Sequence, residues 1–337
     1  MPTTTPPPLL GQSPAFLAML THVSRVAPLE RPVLVIGERG TGKELVAARL
    51  HYLSRRWDRP FVKVNCAALP ETLLDSELFG HEAGAFTGAT RRHVGRVEQA
   101  DCGTLFLDEI ATASPAVQEK LLRAVEYGEI ERVGGRTQTV DVRVVGATNA
   151  DLPALAEAGR FRADLLDRLA FDVVTLPPLR ARPEDIAPLA EHFAVGMVRE
   201  LGRPLFPGFT PRALDDLRGH SWPGNVRELR NAVERSVAAA DPEEPVDAIV
   251  LDPFRSPFRP GAPAPATPGT GGAPPPPAAP PPPVEGSFLE RVQAFEAGLL
   301  KAALERNRHN QRRTAEELGL GYHQLRGHLR RHGLIGG

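Results

Sequence analysis

The sequence predicts a parallel α/β domain followed by a helical subdomain, a proline-rich spacer and a small all-α domain. Apolar, β-rich runs alternate with helical patterns as far as Leu176, and the strand patterns stop after Glu184. Strands separated by helices are typical of a parallel sheet that is covered on both faces. Of the 35 prolines, 13 fall between Arg255 and Ser287, which predicts a disordered, semi-extended spacer.

Five segments share the apolar, β-branched composition of buried strands: 32–36, 61–64, 104–107, 142–146 and 172–176. Helical patterns occupy 43–53 and 115–127 among these strands, and 184–201, 211–218 and 225–240 beyond them. The predicted boundaries are 1–8 for a disordered start, 9–180 for the α/β subdomain, 181–254 for the helical subdomain, 255–287 for the spacer and 288–337 for the last domain. A PxxP docking site at 274–283 is the alternative to a plain linker.

The composition limits the class of protein. The chain has 337 residues, of which 42% are hydrophobic and 24% charged, and its net charge is −1. These values exclude global disorder and a polybasic nucleic-acid coat. The N-terminus lacks the pattern of a signal peptide, and no apolar run approaches the roughly 20 residues of a spanning helix. We therefore expect a cytoplasmic protein without membrane insertion.

The chain has two cysteines, Cys66 and Cys102, and neither belongs to a CxxC pair. Two cysteines in a chain of this length do not make a disulfide framework, and their spacing is not that of a zinc site. We expect two reduced thiols in the core.

The first strand runs into a glycine-rich segment with the spacing G-x4-G-K. Glycines let backbone N–H groups approach a phosphate, the next helix offers its positive end, and Lys43 can reach the β- and γ-phosphate oxygens. Glu44 stands where serine or threonine usually meets magnesium. A glycine turn without a ligand is the alternative. The candidate nucleotide-binding residues here are Gly37, Glu38, Arg39, Gly40, Thr41, Gly42, Lys43 and Glu44.

A second apolar strand ends in two carboxylates, Asp108 and Glu109. This is the Walker B pattern, in which Asp108 would hold Mg²⁺ and Glu109 would orient or activate water against the γ-phosphate of ATP. Two acids at a helix start are the alternative, since acids suit a helix N-terminus. Together with the glycine-rich segment 37–44, here called the phosphate loop, the pattern predicts an ATPase that uses ATP and Mg²⁺.

Two further sets of residues are ambiguous when they are read alone. Thr148 and Asn149 follow another strand and would lie beside the γ-phosphate, or would form a plain strand-end turn. Arg162 and Arg168 could reach the γ-phosphate of a neighbouring subunit. Alternatively they belong to a solvated helix in which Asp164 and Arg168 pair one turn apart.

The segment Gly84-Ala85-Phe86-Thr87-Gly88-Ala89 resembles the GAFTGA loop of bacterial enhancer-binding proteins, the AAA+ activators of σ54 RNA polymerase. Segments 37–44, 103–109, 147–149, 161–169 and 222–229 match the same family in order. The resemblance implies that the loop contacts σ54, with Phe86 and Thr87 at its tip. An exposed phenylalanine is costly unless a partner covers it, whereas a flexible hairpin would explain only the glycines.

The resemblance also implies roles for individual residues. Asn65 would be the switch that holds the catalytic Glu109, Thr148 and Asn149 would be sensor I, and Arg227 would be sensor II. Trans-acting arginines imply a homo-oligomer, from dimer to hexameric ring. The implied catalytic residues are Lys43, Asn65, Asp108, Glu109, Arg162 and Arg168.

Segments 37–44, 51–57 and 161–171 are most similar to the members that control the phage-shock response to membrane stress. Those members are held inactive in trans by phage shock protein A, which the resemblance implies as an inhibitor of this chain. Tyr52 and Trp57 lie in the segment that resembles the inhibitor-contact surface. Packing of Trp57 at a helix end is the alternative.

The last residues form a basic module. Residues 306–337 hold seven arginines and two glutamates, a net charge of +5, so the remainder of the chain carries −6. Helical patterns at 311–318 and 322–332 flank a tight turn, which predicts a helix-turn-helix. Residues 310–320 resemble the Fis-type domain of the same activators, and the helix over 288–307 would be a dimer contact. The candidate DNA-binding residues are Arg312, Arg313, Thr314, Tyr322, His323, Gln324, Arg326, Arg330 and Arg331.

These patterns predict a nucleoid-associated activator that binds upstream, double-stranded enhancer DNA and assembles an ATPase ring. The ring would remodel the closed complex of σ54 and RNA polymerase, at phage-shock genes. A generic AAA+ remodelling ATPase and a DNA-binding repressor are the alternatives. The loop 84–89 disfavours the first of these, and the intact residues Lys43, Asp108 and Glu109 disfavour the second.

Overall fold

The computed structural model describes residues 9–85, 89–254, 288–307 and 310–334. The chain divides into two compact units, Met1–Pro260 and Gly261–Gly337. The predicted disordered start 1–8, the spacer 255–287 and the loop residues Phe86, Thr87 and Gly88 lie outside the described residues.

The strands of the first unit include all five that the sequence predicts. They are β1 (Val33–Ile36), β2 (Phe61–Asn65), β3 (Gly80–His81), β4 (His93–Val94), β5 (Thr104–Asp108), β6 (Glu129–Glu131), β7 (Thr137–Thr139), β8 (Arg143–Thr148) and β9 (Asp172–Thr175). A parallel sheet has the order β2-β5-β8-β1-β9, and two short antiparallel hairpins pair β3 with β4 and β6 with β7. The register sets Asn65 beside Asp108 and Ile36 beside Thr148, so polar strand ends meet at one edge.

The helices of the first unit are α1 (Pro14–Val26), α2 (Lys43–Tyr52), α3 (Glu71–Phe79), α4 (Arg96–Gln99), α5 (Pro115–Tyr127), α6 (Leu152–Glu157), α7 (Ala163–Leu169), α8 (Ile186–Glu200), α9 (Pro211–Gly219) and α10 (Asn225–Ala239). Helices α8, α9 and α10 form the subdomain here called the lid. Ser13, Ser114, Asp151 and Thr210 accept backbone N–H bonds at the starts of α1, α5, α6 and α9. Each of these helices has proline in its first two positions, where proline costs no hydrogen bond.

Two apolar cores lie on opposite faces of the parallel sheet. Successive residues of β5 alternate between them, since Leu105 and Leu107 pack with α3, α5 and α7, whereas Phe106 packs with α1 and α2. A third core holds the lid together around Trp222 and Leu229. Among the helices of the described residues, none combines the length and the hydrophobicity of a membrane span.

The segment before α1 is tied to the start of the lid by Asp185, whose side chain is completely buried. One oxygen of Asp185 accepts the N–H groups of Gln12 and Ser13 at 2.6 and 2.8 Å, and the other accepts the Ser13 hydroxyl at 2.8 Å. The Arg182 guanidinium lies 5.0 Å from the centre of the Phe16 ring. These contacts anchor the lid to the α/β part of the unit.

The two cysteines differ from the expectation that both lie in the core. Cys66 is buried, and that burial raises the pKa of its thiol to about 12. Cys102 is exposed, because it occupies a turn with φ 58° that precedes β5. The prediction of two core thiols is therefore correct for Cys66 and wrong for Cys102.

His51 on α2 is a buried histidine. Its ring stacks on Phe61 with 4.8 Å between ring centroids, and its Nδ1 lies 3.0 Å from the Thr104 hydroxyl. Burial, aided by the charge of Arg143, lowers the pKa of His51 from 6.5 to about 4. The unfolded chain therefore binds this proton more readily than the folded chain. Stability is lost as the pH falls from 6.5 towards 4.

Between about pH 7 and pH 5, we expect the unfolding free energy of the unchanged protein to fall by about 2 kcal/mol more than that of a His51→Gln variant. Glutamine keeps a hydrogen-bonding group near Thr104 but does not titrate, so the comparison cancels the contribution of the carboxylates. Urea unfolding of both proteins at the two pH values measures the difference. Equal losses in both proteins would contradict the lowered pKa.

The described part of the second unit contains α11 (Phe288–Arg306), α12 (Gln311–Glu317) and α13 (Tyr322–Arg331). Its core includes Leu300, Leu304, Leu325 and Leu329. Glu317 accepts hydrogen bonds from Arg306 and Asn307, which links the end of α11 to α12. Gly319, at φ 65°, makes the left-handed turn that lets α12 and α13 cross.

Candidate active site

A cavity of about 620 Å³ lies at the carboxyl edge of the parallel sheet, between that edge and the lid. Ligands of open α/β sheets bind at this edge. The cavity is lined by Arg39, Gly40, Gly42, Lys43, Glu44, Leu45, Asn65, Ala67, Asp108, Glu109, Thr112, Asn149, Phe193, Val226, Arg227 and Arg230. The structure thus brings together candidates that the sequence placed as far apart as Lys43 and Arg227.

The loop between β1 and α2 supplies the cationic side of the cavity. The Lys43 side chain is only 8% exposed, and its Nζ donates to the carbonyls of Gly37 at 3.0 Å and Glu38 at 3.4 Å. Gly42 precedes α2 at φ 102°, and it makes no side-chain cap for the first turn. The open N–H groups of that turn make the start of α2 an anion-binding position.

Other residues of the loop act on its shape or on its neighbours. The Thr41 hydroxyl donates to the Glu38 carbonyl at 2.8 Å, so Thr41 closes the loop on itself. Glu44 accepts a bond of 2.8 Å from Lys63 on β2. Glu38 points away from the cavity and towards the lid, where Arg180 donates two bonds to its carboxylate at 2.8 and 2.5 Å. Bonds from Arg180 and then Asn225 lower the pKa of Glu38 to about 2.

The acidic side of the cavity is the end of β5. The N–H of Glu109 donates to Asp108 Oδ1 at 3.0 Å, and the Thr112 hydroxyl donates to the Glu109 carbonyl at 2.8 Å. Glu109 has φ 52°, a conformation that is uncommon for residues other than glycine and that turns the chain sharply after the strand. Asn65 lies next to Asp108 in the register, and its Oδ1 accepts the N–H of Ala67 at 2.9 Å.

The two candidate residues at the end of β8, Thr148 and Asn149, have different environments. Thr148 is completely buried, and its hydroxyl accepts the N–H of Ala150 at 3.0 Å, so it shapes the turn. Asn149 is exposed to the cavity. The polar group that β8 offers a ligand is therefore Asn149.

The lid contributes residues that the sequence patterns missed, besides the predicted Arg227. Phe193 and Val226 add apolar surface, and Arg230 follows Arg227 by one turn of α10. Three-residue spacing on a helix places two side chains on one face, and this is the signal that could have identified Arg230. The N–H of Arg227 donates to the Gly40 carbonyl at 3.3 Å, which places α10 directly on the phosphate loop.

Arg162 immediately precedes α7, and Arg168 lies in its last turn. Neither residue lines the cavity. Arg162 bonds to Asp164 at 3.0 and 2.7 Å, and Arg168 bonds to Glu126 on α5 at 2.6 Å. The alternative in which Asp164 pairs with Arg168 is therefore wrong, because each has another partner. Both arginines remain at least partly exposed.

The loop 84–89 rises from the hairpin of β3 and β4. The N–H of Gly84 donates to the Ala89 carbonyl at 2.7 Å, which closes the base of the loop. Arg132, in the turn between β6 and β7, is buried and bonds to Glu82 at 2.7 Å, Glu98 at 2.8 Å and Gln138 at 3.0 Å. The charged network of Arg132 joins this base to α4 and to the neighbouring hairpin.

The segment that follows α2 exposes two large apolar side chains. Trp57 is 54% exposed, and the adjoining Leu53 is exposed as well. Arg56 between them is fixed by bonds to Glu30 at 2.5 Å and to Asp141 at 2.8 Å. Tyr52 is half-buried at the end of α2. Trp57 thus lies on an accessible surface, next to an arginine that is held by two ion pairs.

In the second unit, candidate DNA-binding residues on α12 and α13 are partly or fully exposed: Arg312, Arg313, Tyr322, Gln324, Arg326, Arg330 and Arg331. The side chain of His323 lies outside the described residues. The prediction that Thr314 contacts DNA is wrong, because Thr314 is completely buried and its hydroxyl donates to the Asn310 carbonyl at 2.9 Å. The Gln324 side chain accepts the N–H of Gly321 at 3.0 Å and so caps α13.

Three parts of the chain match known families. Residues 9–175 match the family described as Sigma-54 interaction domain, residues 180–262 the AAA+ ATPase lid domain, and residues 291–332 the Fis family of bacterial regulatory proteins. The chain is 58% identical over 326 residues to the Psp operon transcriptional activator of Escherichia coli K12, and the match covers 96% of this chain and 97% of that protein. The chain belongs to the σ54-activator family.

Other relatives share part of this organisation. The Klebsiella oxytoca transcriptional regulatory protein ZraR is 54% identical over 230 residues, and the match spans 68% of this chain and about half (52%) of ZraR. The crystal structure of Brucella abortus NtrX with ATP is 34% identical, with a TM-score of 0.67, over 97% of this chain and 70% of NtrX. The predicted AAA+ ATPase with a helical lid and a Fis-type helix-turn-helix is thus confirmed, and the chain is a σ54-dependent activator that binds ATP.

Proposed function

We propose that this σ54 activator binds ATP with Mg²⁺ in the cavity, hydrolyses it as a ring, and uses that energy to remodel the closed complex of σ54 and RNA polymerase from upstream DNA. The observation that carries the proposal is the cavity itself. It gathers the buried Lys43, the carboxylates of Asp108 and Glu109, and Arg227 of the lid at the edge of the sheet where ligands bind, together with Asn149.

The residues of the cavity fit a magnesium ion that arrives with the nucleotide. The described residues contain no cluster of three or more His, Cys, Asp or Glu side chains suited to a metal. Magnesium is commonly held by one or two carboxylates together with substrate phosphates, so Asp108 suffices on the protein side. Because Glu44 is bonded to Lys63 and Glu109 is assigned to the attacking water, Asp108 would be the direct carboxylate ligand. The ion would neutralise charge that develops on the phosphates.

The side chains would divide the work of hydrolysis. Lys43 and the first turn of α2 hold the β- and γ-phosphates, and Arg227 approaches from the lid. Glu109 would orient the attacking water, since it follows the end of β5 and its side chain lines the cavity. Asn65 and Asn149 flank that carboxylate position from the neighbouring strands and would report the state of the γ-phosphate.

Arg162 and Arg168 would act on the nucleotide of a neighbouring copy, which makes the ring necessary for turnover. In the single chain their guanidinium groups are occupied by Asp164 and Glu126 on the surface. Exposed ion pairs contribute little to stability, so exchanging them for a phosphate costs little. The Arg132 network would then transmit the state of the sheet to the base of the loop 84–89, whose tip touches σ54.

The similarity to the Psp operon transcriptional activator supports a role at phage-shock genes. The same similarity supports phage shock protein A as an inhibitor, with Tyr52 and Trp57 in its contact surface. An exposed tryptophan on a rigid segment is the type of residue that carries most of the energy of an interface.

Trp57→Ala is expected to leave ATP turnover unchanged and to weaken inhibition by added phage shock protein A at least about tenfold. Truncating a tryptophan at the centre of an interface commonly costs about 2 kcal/mol or more, whereas Trp57 contributes little to the core. ATP turnover is measured over a range of inhibitor concentrations. Leu205→Ala is the control. It removes an exposed apolar side chain from the lid, far along the chain from Trp57, and its ATP turnover should be inhibited normally.

Thr87→Ala tests the proposed function as a whole. ATP hydrolysis should survive, since Lys43, Asp108 and Glu109 are untouched, while trapping of σ54 and promoter opening should be lost. Turnover and open-complex formation are measured on one preparation at a σ54 promoter. If the variant still opens the promoter, the loop is not the σ54 contact and a generic remodelling ATPase becomes the better description.

A further inference from the structure

We propose that Asn225 is a positioning residue that locks the lid to the phosphate loop through Glu38 and thereby sets Arg227 at the nucleotide. The proposal rests on the proposed ATPase function and deepens it. It assigns to Glu38 a place in the lid contact rather than at the phosphates, although Glu38 lies within the glycine-rich loop. Three hydrogen bonds of the Asn225 side-chain amide support this role.

Asn225 is completely buried at the start of α10 and uses both ends of its side chain. Its Oδ1 accepts the N–H of Leu179, at the entry to the lid, at 2.7 Å. Its Nδ2 donates to Glu38 Oε2 at 3.1 Å and to the Arg39 carbonyl at 3.1 Å. One side chain therefore joins the phosphate loop, the entry to the lid and the first turn of α10.

The backbone around Asn225 is held in a costly conformation. Asn225 has φ 53° and Trp222 has φ 50°, so two residues of the Trp-Pro-Gly-Asn turn are left-handed without being glycine. Such residues persist only where the surroundings enforce them. The Trp222 indole N–H bonds to the Leu217 carbonyl at 2.8 Å, and Glu228 accepts the N–H of Gly224 at 2.7 Å. The turn is thus fixed from both sides, and it presents the Asn225 amide to the loop.

Glu38 provides the charge of the contact. Its two carboxylate oxygens are occupied by the Arg180 guanidinium and the Asn225 amide, both of which come from the lid side. A carboxylate in this position would repel phosphate if it turned towards the cavity, and it does not line the cavity. Because the Glu38 bonds are charge-assisted, they are stronger than bonds between neutral groups.

Arg227 lies two residues beyond Asn225, so its position depends on the same turn. Its N–H bonds to the Gly40 carbonyl, and the loop and the turn touch so closely that a methyl group on Gly40 would lie 2.2 Å from the Gly224 carbonyl oxygen. A lid that shifts relative to the loop must therefore move Arg227 away from the phosphates. ATP affinity, rather than the chemical step, is the quantity that this contact controls.

Asn225→Asp is the direct test, because it keeps the shape and the Oδ1 acceptor but sets a carboxylate against Glu38. We expect the KM for ATP to rise about tenfold or more while kcat changes about twofold or less. A merely structural defect would instead lower the active fraction, which reduces kcat and leaves KM unchanged. Direct binding of a fluorescent ATP analogue should weaken in parallel with KM.

Rescue by a second substitution identifies the partner. Adding Glu38→Gln to the Asn225→Asp protein removes one of the two facing charges and lets an amide donate to the carboxylate introduced on α10. The double variant should recover about half of the lost affinity on a logarithmic scale. Glu243→Gln is the matched control, since it makes the same chemical change at an exposed position outside the cavity, and it should not rescue.

These measurements distinguish a failure of the proposed ATPase function from a failure of the positioning role of Asn225. If the unchanged protein does not hydrolyse ATP, the proposed function fails. If it does, and Asn225→Asp has an unchanged KM, or Glu243→Gln rescues as well as Glu38→Gln, the positioning role is wrong. Should Asn225→Asp not fold, Asn225→Gly takes its place, because glycine accepts the left-handed backbone at this position and removes the amide. A normal KM in that variant would equally overturn the proposal.

Discussion

Replacing Glu109 by Gln is expected to reduce ATP turnover at least about a hundredfold and to leave ATP affinity within about threefold of the unchanged protein. Glutamine preserves the size of the side chain and its place after β5, but it cannot carry the negative charge that orients and activates water. Asp108 and Lys43, which would hold magnesium and phosphate, are not altered. Turnover and binding of a fluorescent ATP analogue are measured on the same preparation.

The expected separation of binding from hydrolysis needs a control for the substitution itself. Glu243→Gln makes the same chemical change at an exposed position outside the cavity, and it should turn over ATP normally. A Glu109→Gln protein with near-normal turnover would remove Glu109 from the catalytic role. A variant that loses binding as well as turnover would indicate that the left-handed turn at Glu109, rather than its charge, was disturbed.

Removal of residues 288–337 is expected to abolish binding to specific DNA and to leave ATP hydrolysis intact. The first unit has its own cores on both faces of its sheet and in the lid, so it folds without the second. The arginines of α12 and α13 lie in the removed part. Phosphate contacts by such side chains supply most of the non-specific affinity and a large share of the specific affinity. Gel shifts on a promoter fragment and ATP turnover measure the two activities.

Point variants refine this prediction within the full chain. The double substitution Arg330→Ala and Arg331→Ala should weaken binding to all sequences and reduce the salt dependence of the binding constant by about two counterions. Arg25→Ala, an exposed change on α1 of the first unit, is the control and should bind normally. A truncated protein that still shifts the same fragment would contradict the assignment of DNA binding to the second unit.

Much of the fold could be predicted because its signals are local. Each strand of the parallel sheet is a short apolar run, and helices such as α5 and α10 begin at recognisable capping or turn residues. The hairpins of β3 with β4 and of β6 with β7 escaped prediction, since strands of two or three residues carry no periodicity. The order of the strands also has no local signal, because it depends on how the crossovers pack.

The candidate site was predictable where a motif marks a residue, and otherwise it was not. Lys43, Asp108 and Glu109 follow strands in recognised spacings, and they line one cavity. The bond between Glu38 and Asn225 joins residues 187 positions apart, and nothing in the sequence around either residue indicates which residue it contacts. Only the folded chain reveals that the loop residue faces the lid.

Two histidines of the second unit contact a carboxylate on α11. The sequence places four histidines in the basic module, but His328 and His332 both face Glu296 of α11. Bonds from His328 and His332 lower the pKa of the Glu296 carboxyl. These two side chains fasten α13 and the residue after it to α11.

The close approach of Gly40 to the Gly224 carbonyl changes how substitutions in the loop are to be interpreted. A scan of all side chains at this position would tolerate glycine alone, because φ is 79° and a Cβ atom would strike the lid. An inactive Gly40→Ala protein therefore reports a displaced lid, and its failure is no evidence for a lost phosphate contact. The fit between the two subdomains is thus enough to require glycine at this position.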